Sequence, residues 1–489
     1  MTKTIAAAGL LAALLSGCSL IPEQPQVTSP VPASWPTGPA YGGASPAAAS
    51  PVSAVPVSAT VTEAETAAAL GRDFFRAPQL RRLIDQALAN NRDLRVAALN
   101  IETARAQYRV RQADQLPSLD AGGSVTRQRS PAGVRSAATT TGSQYSVQAS
   151  LPSFEIDLFG RVHSLEQQAL EQYFATEEAR ASTQIALVAE VADAVLTLLA
   201  DQRLLALTDR TLATRQQSLD LVRRSLDRGV GTELDLAQAQ AAFESARASR
   251  ERYVRQVAQD WNALGLLVGA PVDGSAVAGL TLDDGILADV PVGLSSSILL
   301  KRPDIRQAEH QLKAANANIG AARAAFYPTI TLTGSAGTAS SELGKLFAGG
   351  SAAWSFMPSI SLPIFDGGRN EASLDSAVAG RDIAVAQYEK AIQSAFRDVA
   401  DALAARGTLG RQLQAQSAMV AATQRSYDLA QARYDRGIDS FLNVLDAQRS
   451  LYGAQQDQIS LELSRLSNRV VLYKSLGGGS FQGEAGQGT

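Results

Sequence analysis

Leu442, Asp446 and Arg449 stand at i, i+4 and i+7 in the passage RYDRGIDSFLNVLDAQRSL (433–451), so one helix face carries an apolar residue, an acid and a base. That is an unusual stripe for a packing face. Its bland reading is a solvated helix face with an i,i+3 salt bridge. Little else in the chain could do chemistry. Two histidines, His163 and His310, and one cysteine, Cys18, leave no basis for the usual zinc sites, cysteine proteases or histidine-dependent triads. Both histidines read as ordinary polar positions on helices. GVGTE and GGASP are turn or linker glycines, and no phosphate loop or metal-ligand cluster is present. An enzyme is not expected, and no catalytic residue, metal or separate cofactor is assigned. The formal net charge of −3 gives no electrostatic case for nucleic acid.

Cys18 has its own chemistry. MTKTIAAAGLLAALLSGC opens with a positive residue, Lys3, and an apolar run from Ile5 to Leu15 that is too short to span a bilayer. LLSGC resembles a bacterial lipobox. That likeness implies cleavage after residue 17, an S-diacylglycerol and an N-acyl chain on Cys18, and, with Ser19 rather than an aspartate next, an outer-membrane address. From Ser19 to about Thr60 the chain is rich in Pro, Ala, Ser and Gly with one charge, Glu23, and reads as an extended tether unable to fold alone. The domain plan is then a signal peptide over 1–17, a lipidated N-terminus and tether over 18–64, a first structural repeat over 65–270, an inter-repeat linker or equatorial region over 271–294, a second repeat over 295–476, and a disordered tail over 477–489.

The elements that carry the stripe are duplicated. NRDLRVAALNIETARAQ (91–107) matches RPDIRQAEHQLKAANAN (302–318), and LDRGVGTELDLAQAQ (226–240) echoes the passage around Gly437. Asp93 to Asp304 is an offset of 211 and Gly229 to Gly437 one of 208, a drift that small insertions explain. Each half runs through two short strands, a long helix (162–228 and 371–436), an elbow, and a shorter helix (232–268 and 440–475). The long helices contain no proline and would each reach about 100 Å. Charges such as Glu190, Asp193 and Asp201 argue against membrane spans, so coiled-coil-like packing is expected. Gly229 and Gly437 would end their helices with positive φ. In 145–151, 354–362, 329–333 and, more weakly, 118–126, apolar residues alternate with small polar ones, the transmembrane β-barrel pattern. Four strands per chain cannot close a barrel, and lipid tolerates no open edge, so oligomerisation is required; eight strands from a dimer and twelve from a trimer are both open.

Lipobox, tether, duplicated halves and the VLDAQRSL passage together resemble the TolC-type outer membrane factors, in their OprM/NodT-like lipoprotein branch, over essentially all of 65–476. The resemblance implies an α+β membrane protein. It would be a homotrimer, its twelve-stranded β-barrel in the outer membrane continued by a long periplasmic α-helical coiled-coil barrel. The implied function is the exit duct of a tripartite efflux pump, fed through a periplasmic adaptor by an inner-membrane transporter of the RND type and passing drugs or other small molecules. It also implies roles at the tip: Leu442 as an apolar ring, Asp446 and Arg449 as links between neighbouring helices, and Tyr434 as a group bonding across the tip. Three copies of Leu442 about an axis would shed water, and an Asp446 ring would set cation preference. The first elbow departs from this, with Gln238 and Ala241 where the second has Asp446 and Arg449, although Leu234 and Asp235 keep their type. A duct for secreted polypeptides and a non-conducting envelope lipoprotein are the competing readings.

Overall fold

The structure, a computed structural model, describes residues 19–25, 27–28, 30–32, 34–41, 71–131, 140–290 and 296–478. Cys18, and with it the lipid attachment, lies outside them, as does the tail beyond 478. Helix α1 spans Pro78–Asn90 and α2 Arg92–Ala113; strands β1 (Asp120–Ser130) and β2 (Thr140–Ile156) follow. Helix α3 (Arg161–Asp227) turns into α4 (Glu233–Val268). The second half repeats the plan with α5 (Pro303–Ala324), β3 (Thr329–Ser340), β4 (Ala352–Ser361), α6 (Arg369–Asp435) and α7 (Phe441–Ser475). Helices α3 and α6 are both 67 residues long, in keeping with proline-free sequences rich in good helix formers.

Two compact units divide the chain, each drawing on both halves of the sequence: 1–28, 99–177 and 307–389 form one, and 29–98, 178–306 and 390–489 the other. The first holds the sheet, antiparallel throughout in the order β1-β2-β3-β4. Its register sorts the side chains cleanly. One face carries Val125, Tyr145, Val147, Leu151, Phe154, Ile330, Leu332, Trp354, Phe356 and Ile360. The other carries Ser124, Thr126, Gln144, Ser146, Gln148, Thr331, Thr333, Ser335, Ser355 and Ser359. Hydroxyl pairs bridge strands on the polar face, Ser124 with Ser146 and Ser335 with Ser355, each at 2.8 Å. Strand β2 is far longer than its alternating stretch because a bulge between Leu151 and Phe154 absorbs Pro152 and Ser153, so that Leu151 and Phe154 stay on one face.

In the second unit Phe74 stacks on Tyr473 and Phe75 meets both edge-on, with centroids 4.8–5.1 Å apart, and all three are fully buried. The inter-repeat linker is clamped by arginines from the helices. Arg406 donates to the Val290 carbonyl at 2.6 Å, and Arg465 and Arg469 converge on Asp284 at 2.9 and 2.8 Å. Helix α3 does contain an 18-residue window of mean hydropathy 1.6, long and apolar enough to cross a membrane by composition even with Glu190 and Asp193 inside it. However, 56% of that window is buried inside the protein, as in a packed core helix. The described parts of the N-terminal tether are docked. Asn316 donates to the Pro22 carbonyl at 2.7 Å in the first unit; in the second, Trp35 stacks on Phe396 at 5.0 Å and Arg411 donates to the Pro39 carbonyl at 2.9 Å. A Pro-rich segment with few internal hydrogen bonds leaves carbonyls free for such donors.

Candidate functional site at the helical elbows

Both elbows lie in the second unit and share one backbone device. In the first, the Val230 amide donates to the Ser225 carbonyl at 3.0 Å and the Gly229 amide to Leu226 at 2.8 Å. In the second, Ile438 donates to Arg433 at 2.9 Å and Gly437 to Tyr434 at 2.8 Å. These are paired Schellman closures, and each needs a left-handed residue at its centre: Gly229 has φ +75° and Gly437 φ +70°. The restart of each helix differs. Thr232 caps α4 by accepting the Asp235 amide at 3.1 Å, while Ser440 makes no side-chain cap and an Arg433–Asp439 ion pair spans the second turn instead. That pairing holds the Asp439 carboxyl below its ordinary range.

Under the elbows, Leu219, Val222, Ala239, Phe441 and Val444 form a buried cluster joined by Leu236, Phe243, Tyr427, Tyr434 and Leu445. This cluster fixes which way α7 faces. Phe441 and Val444 turn inward, so the stripe turns outward: Leu442 is 54% exposed, and the side chains of Asp446 and Arg449 are 62% and 78% exposed. Arg449 is ion-paired to Asp446 within the helix. Three of the four tip residues thus share one open face. Tyr434 does not join them; its ring packs against Phe441 with centroids 5.3 Å apart. Burial pushes the Tyr434 phenol up, with the Asp235 carboxylate the next contributor, so a neutral hydroxyl sits within electrostatic reach of the first elbow's acid. Asp235 is therefore a member of the site that the stripe's spacing did not reveal. The repeat gave little signal for it, since Leu234 matches Leu442 but Asp235 stands opposite Asn443.

Further along the same helices a cleft of about 320 Å³ opens among α3, α6 and α7, lined by Arg210, Thr214, Gln424, Tyr427, Gln448 and Tyr452 among others. Beside it the buried Arg215 donates to the Ala242 carbonyl at 2.7 Å and lies 5.7 Å above the Tyr452 ring. Nothing here resembles a catalytic constellation. Among the described residues no group of three or more His, Cys, Asp or Glu could hold a metal.

Comparison with known proteins gives a consistent result. The family model "Outer membrane efflux protein" matches residues 83–270 and 294–478, once for each repeat. The toluene efflux pump outer membrane protein TtgC of Pseudomonas putida is 51% identical, covering 100% of this chain and 98% of the relative. The outer membrane protein OprJ of Pseudomonas aeruginosa is 44% identical, over 97% and 96%. Among solved structures, a membrane protein from Pseudomonas aeruginosa superposes with a TM-score of 0.84 at 43% identity, covering 96% of this chain and 99% of that one. The open state of the Neisseria gonorrhoeae MtrE outer membrane channel gives 0.79 at 40%, covering 94% and 98%. The fold expected from the sequence, a trimeric outer-membrane barrel continued by a helical one, is the fold of these relatives. This chain belongs to the outer membrane efflux protein family and is an efflux-pump channel of the outer membrane.

Proposed function

We propose that three copies of this chain form the passive exit duct through which a tripartite pump expels drugs, organic solvents or other small molecules, closed at the helical tip by the second elbow. The observation that carries this reading is the four-stranded sheet, with one apolar and one small-polar face and with unpaired edges at β1 and β4. In lipid both edges must be paired, and joining β1 of one copy to β4 of the next closes a ring. Four strands are too few for a barrel and twelve suffice. The inward face is then serine, threonine, glutamine and glycine over most of its length, a lining that binds little and lets uncharged or amphipathic molecules pass. Selection by substrate would fall to the adaptor and the RND-type transporter that feed the duct.

At the tip, three Leu442 side chains around the axis form a constriction that sheds water. The Asp446–Arg449 pair can exchange partners between neighbouring copies at little cost, because an exposed ion pair is worth about 0–1 kcal/mol. Tyr434, held on the core side against Phe441 and within electrostatic reach of Asp235, is placed to link the second elbow to the first. The lipid on Cys18 adds an anchor that the barrel itself does not need. Mass measurement of the detergent-extracted complex, together with solvent tolerance in a strain lacking its own exit channel, tests the reading. A mass of three chains and restored tolerance to toluene are expected; a single chain or no restoration contradicts it.

A further inference from the structure

The sheet register places charge unevenly. Among the described strand residues, the apolar face carries just two charged side chains, Arg127 and Arg129, both on β1; Asp120 and Glu155, the acids in these strands, belong to the opposite face. Both arginines lie toward the C-terminal end of β1, at the end of the sheet remote from the helices. Both are exposed, and neither makes an ion pair among the described residues. Their height can be read from the register. The row Ile360–Ile330–Ile156 marks the helix-side limit of the apolar face, and the row Ser340–Tyr145–Val125 its far limit. Ten residues of β3 separate Ile330 from Ser340, roughly 34 Å at ~3.4 Å per residue. At a strand tilt near 45° that is about 24 Å of membrane, matching the ~25 Å apolar band of outer-membrane barrels. Tyr145, on the last row, sits where interfacial aromatics belong. Arg127 lies two residues and Arg129 four residues beyond Val125, hence about 5 and 10 Å above the hydrocarbon.

We infer that Arg127 and Arg129 bind the phosphate groups of outer-leaflet glycolipid, forming a basic collar on the lipid side of the barrel. The inference rests on the barrel reading above, which sets the apolar face toward lipid and the helices toward the periplasm. The chemistry fits that occupant. A guanidinium matches phosphate oxygens two at a time, stays charged at every relevant pH, and can lay its stem along apolar surface while its head reaches the headgroups. The cross-strand neighbours are small and hydroxylated, Ser143 beside Arg127 and Thr141 beside Arg129, so they add donors without blocking approach. Among the described strand residues, no carboxylate on the same face competes with the lipid phosphates. A collar of this kind would hold a phosphorylated lipid shell around the duct, limiting leakage of expelled apolar compounds back along the protein surface.

The test is native mass spectrometry of the purified full-length complex with bisphosphorylated lipid A or its phosphate-free counterpart, in wild type and in a variant carrying Arg127→Gln and Arg129→Gln. Wild type should retain bisphosphorylated lipid A about tenfold or more better than the phosphate-free form, and the variant should lose that preference. Arg127→Lys with Arg129→Lys should keep part of it. Equal retention of the two lipids by wild type, or an undiminished preference in the double-glutamine variant, overturns the inference. If the glutamine variant fails to assemble, the wild-type preference between the two lipids decides. Conductance of wild type in planar bilayers separates this from the barrel reading: a conducting complex blind to phosphate refutes the collar alone, whereas a non-conducting monomer refutes the barrel.

Discussion

The two elbows share a backbone and differ in almost everything attached to it. Both close with the same pair of amide bonds around a left-handed glycine. At the first, Thr232 caps its helix, and Gly231 packs so tightly that a Cβ there would come within 2.9 Å of the Leu226 nitrogen. At the second, a shift of 208 residues puts Asp439 at the place of Gly231 and Arg433 at that of Ser225, and an ion pair replaces the close approach. Phe441, almost wholly buried, corresponds to the exposed Glu233. Asp446 and Arg449 correspond to Gln238 and Ala241. Duplication has kept the turn and released the side chains. The second elbow anchors itself by an aromatic and places charge on its outward face.

The two elbows should differ most at the anchor. Phe441→Ala should cost about 3–5 kcal/mol of stability, since it empties the cluster with Leu219 and Val222. Glu233→Ala at the matching place should stay within about 0.5 kcal/mol, with both read from thermal melts of the complex. Valine at Gly229 or Gly437 should destabilise both elbows alike, by about 1–2 kcal/mol, because each imposes the same left-handed strain. Unequal losses would show that the backbones are not equivalent. Thr232→Ala should cost about 1 kcal/mol, seen as faster amide exchange in the first turn of α4, whereas Ser440→Ala should leave α7 unchanged.

A further asymmetry lies up the same helices. Asp201 and Asp260 sit together in the first repeat where the second has Leu409 and Asn468. Burial and the neighbouring carboxylate raise Asp260 to about 6. Because its folded pKa lies above the unfolded value, the folded state holds the proton more tightly, and stability falls as pH rises from about 4 to about 6. Asp260→Asn, which copies the second repeat, should stabilise the protein by about 1 kcal/mol above pH 6 and by nothing below pH 4, a modest figure because the site is partly exposed. Melting temperatures at pH 7.5 and 4 decide this.

Much of the architecture was legible in the sequence because helix formers without proline run unbroken over 67 residues, and Gly229 and Gly437 mark where they stop. The strands were legible where alternation was clean, as in Trp354–Ile360, and only partly where Pro152 interrupts it or Gly122 and Gly123 supply no side chain to read. The outward stripe Leu442–Asp446–Arg449 could be read from spacing alone. Its orientation could not, for it depends on Phe441 and Val444 meeting residues of the first repeat. For the same reason the electrostatic influence of Asp235 on Tyr434 and the Arg433–Asp439 clamp escaped, since one acts between halves and the other is a pairing across a turn. The docking of the N-terminal segment on Asn316 and Phe396 escaped because a Pro-rich stretch carries no periodicity to announce its partners.

We propose that the second elbow closes the duct and the first does not. Single-channel conductance in planar bilayers addresses it directly, comparing wild type with a variant carrying Leu442→Ala, Asp446→Ala and Arg449→Ala, and with one carrying Leu234→Ala and Gln238→Ala. The account predicts a small wild-type conductance, a severalfold rise in the first variant and no change in the second. A triple variant indistinguishable from wild type, or an equal rise from the first-elbow changes, would contradict it.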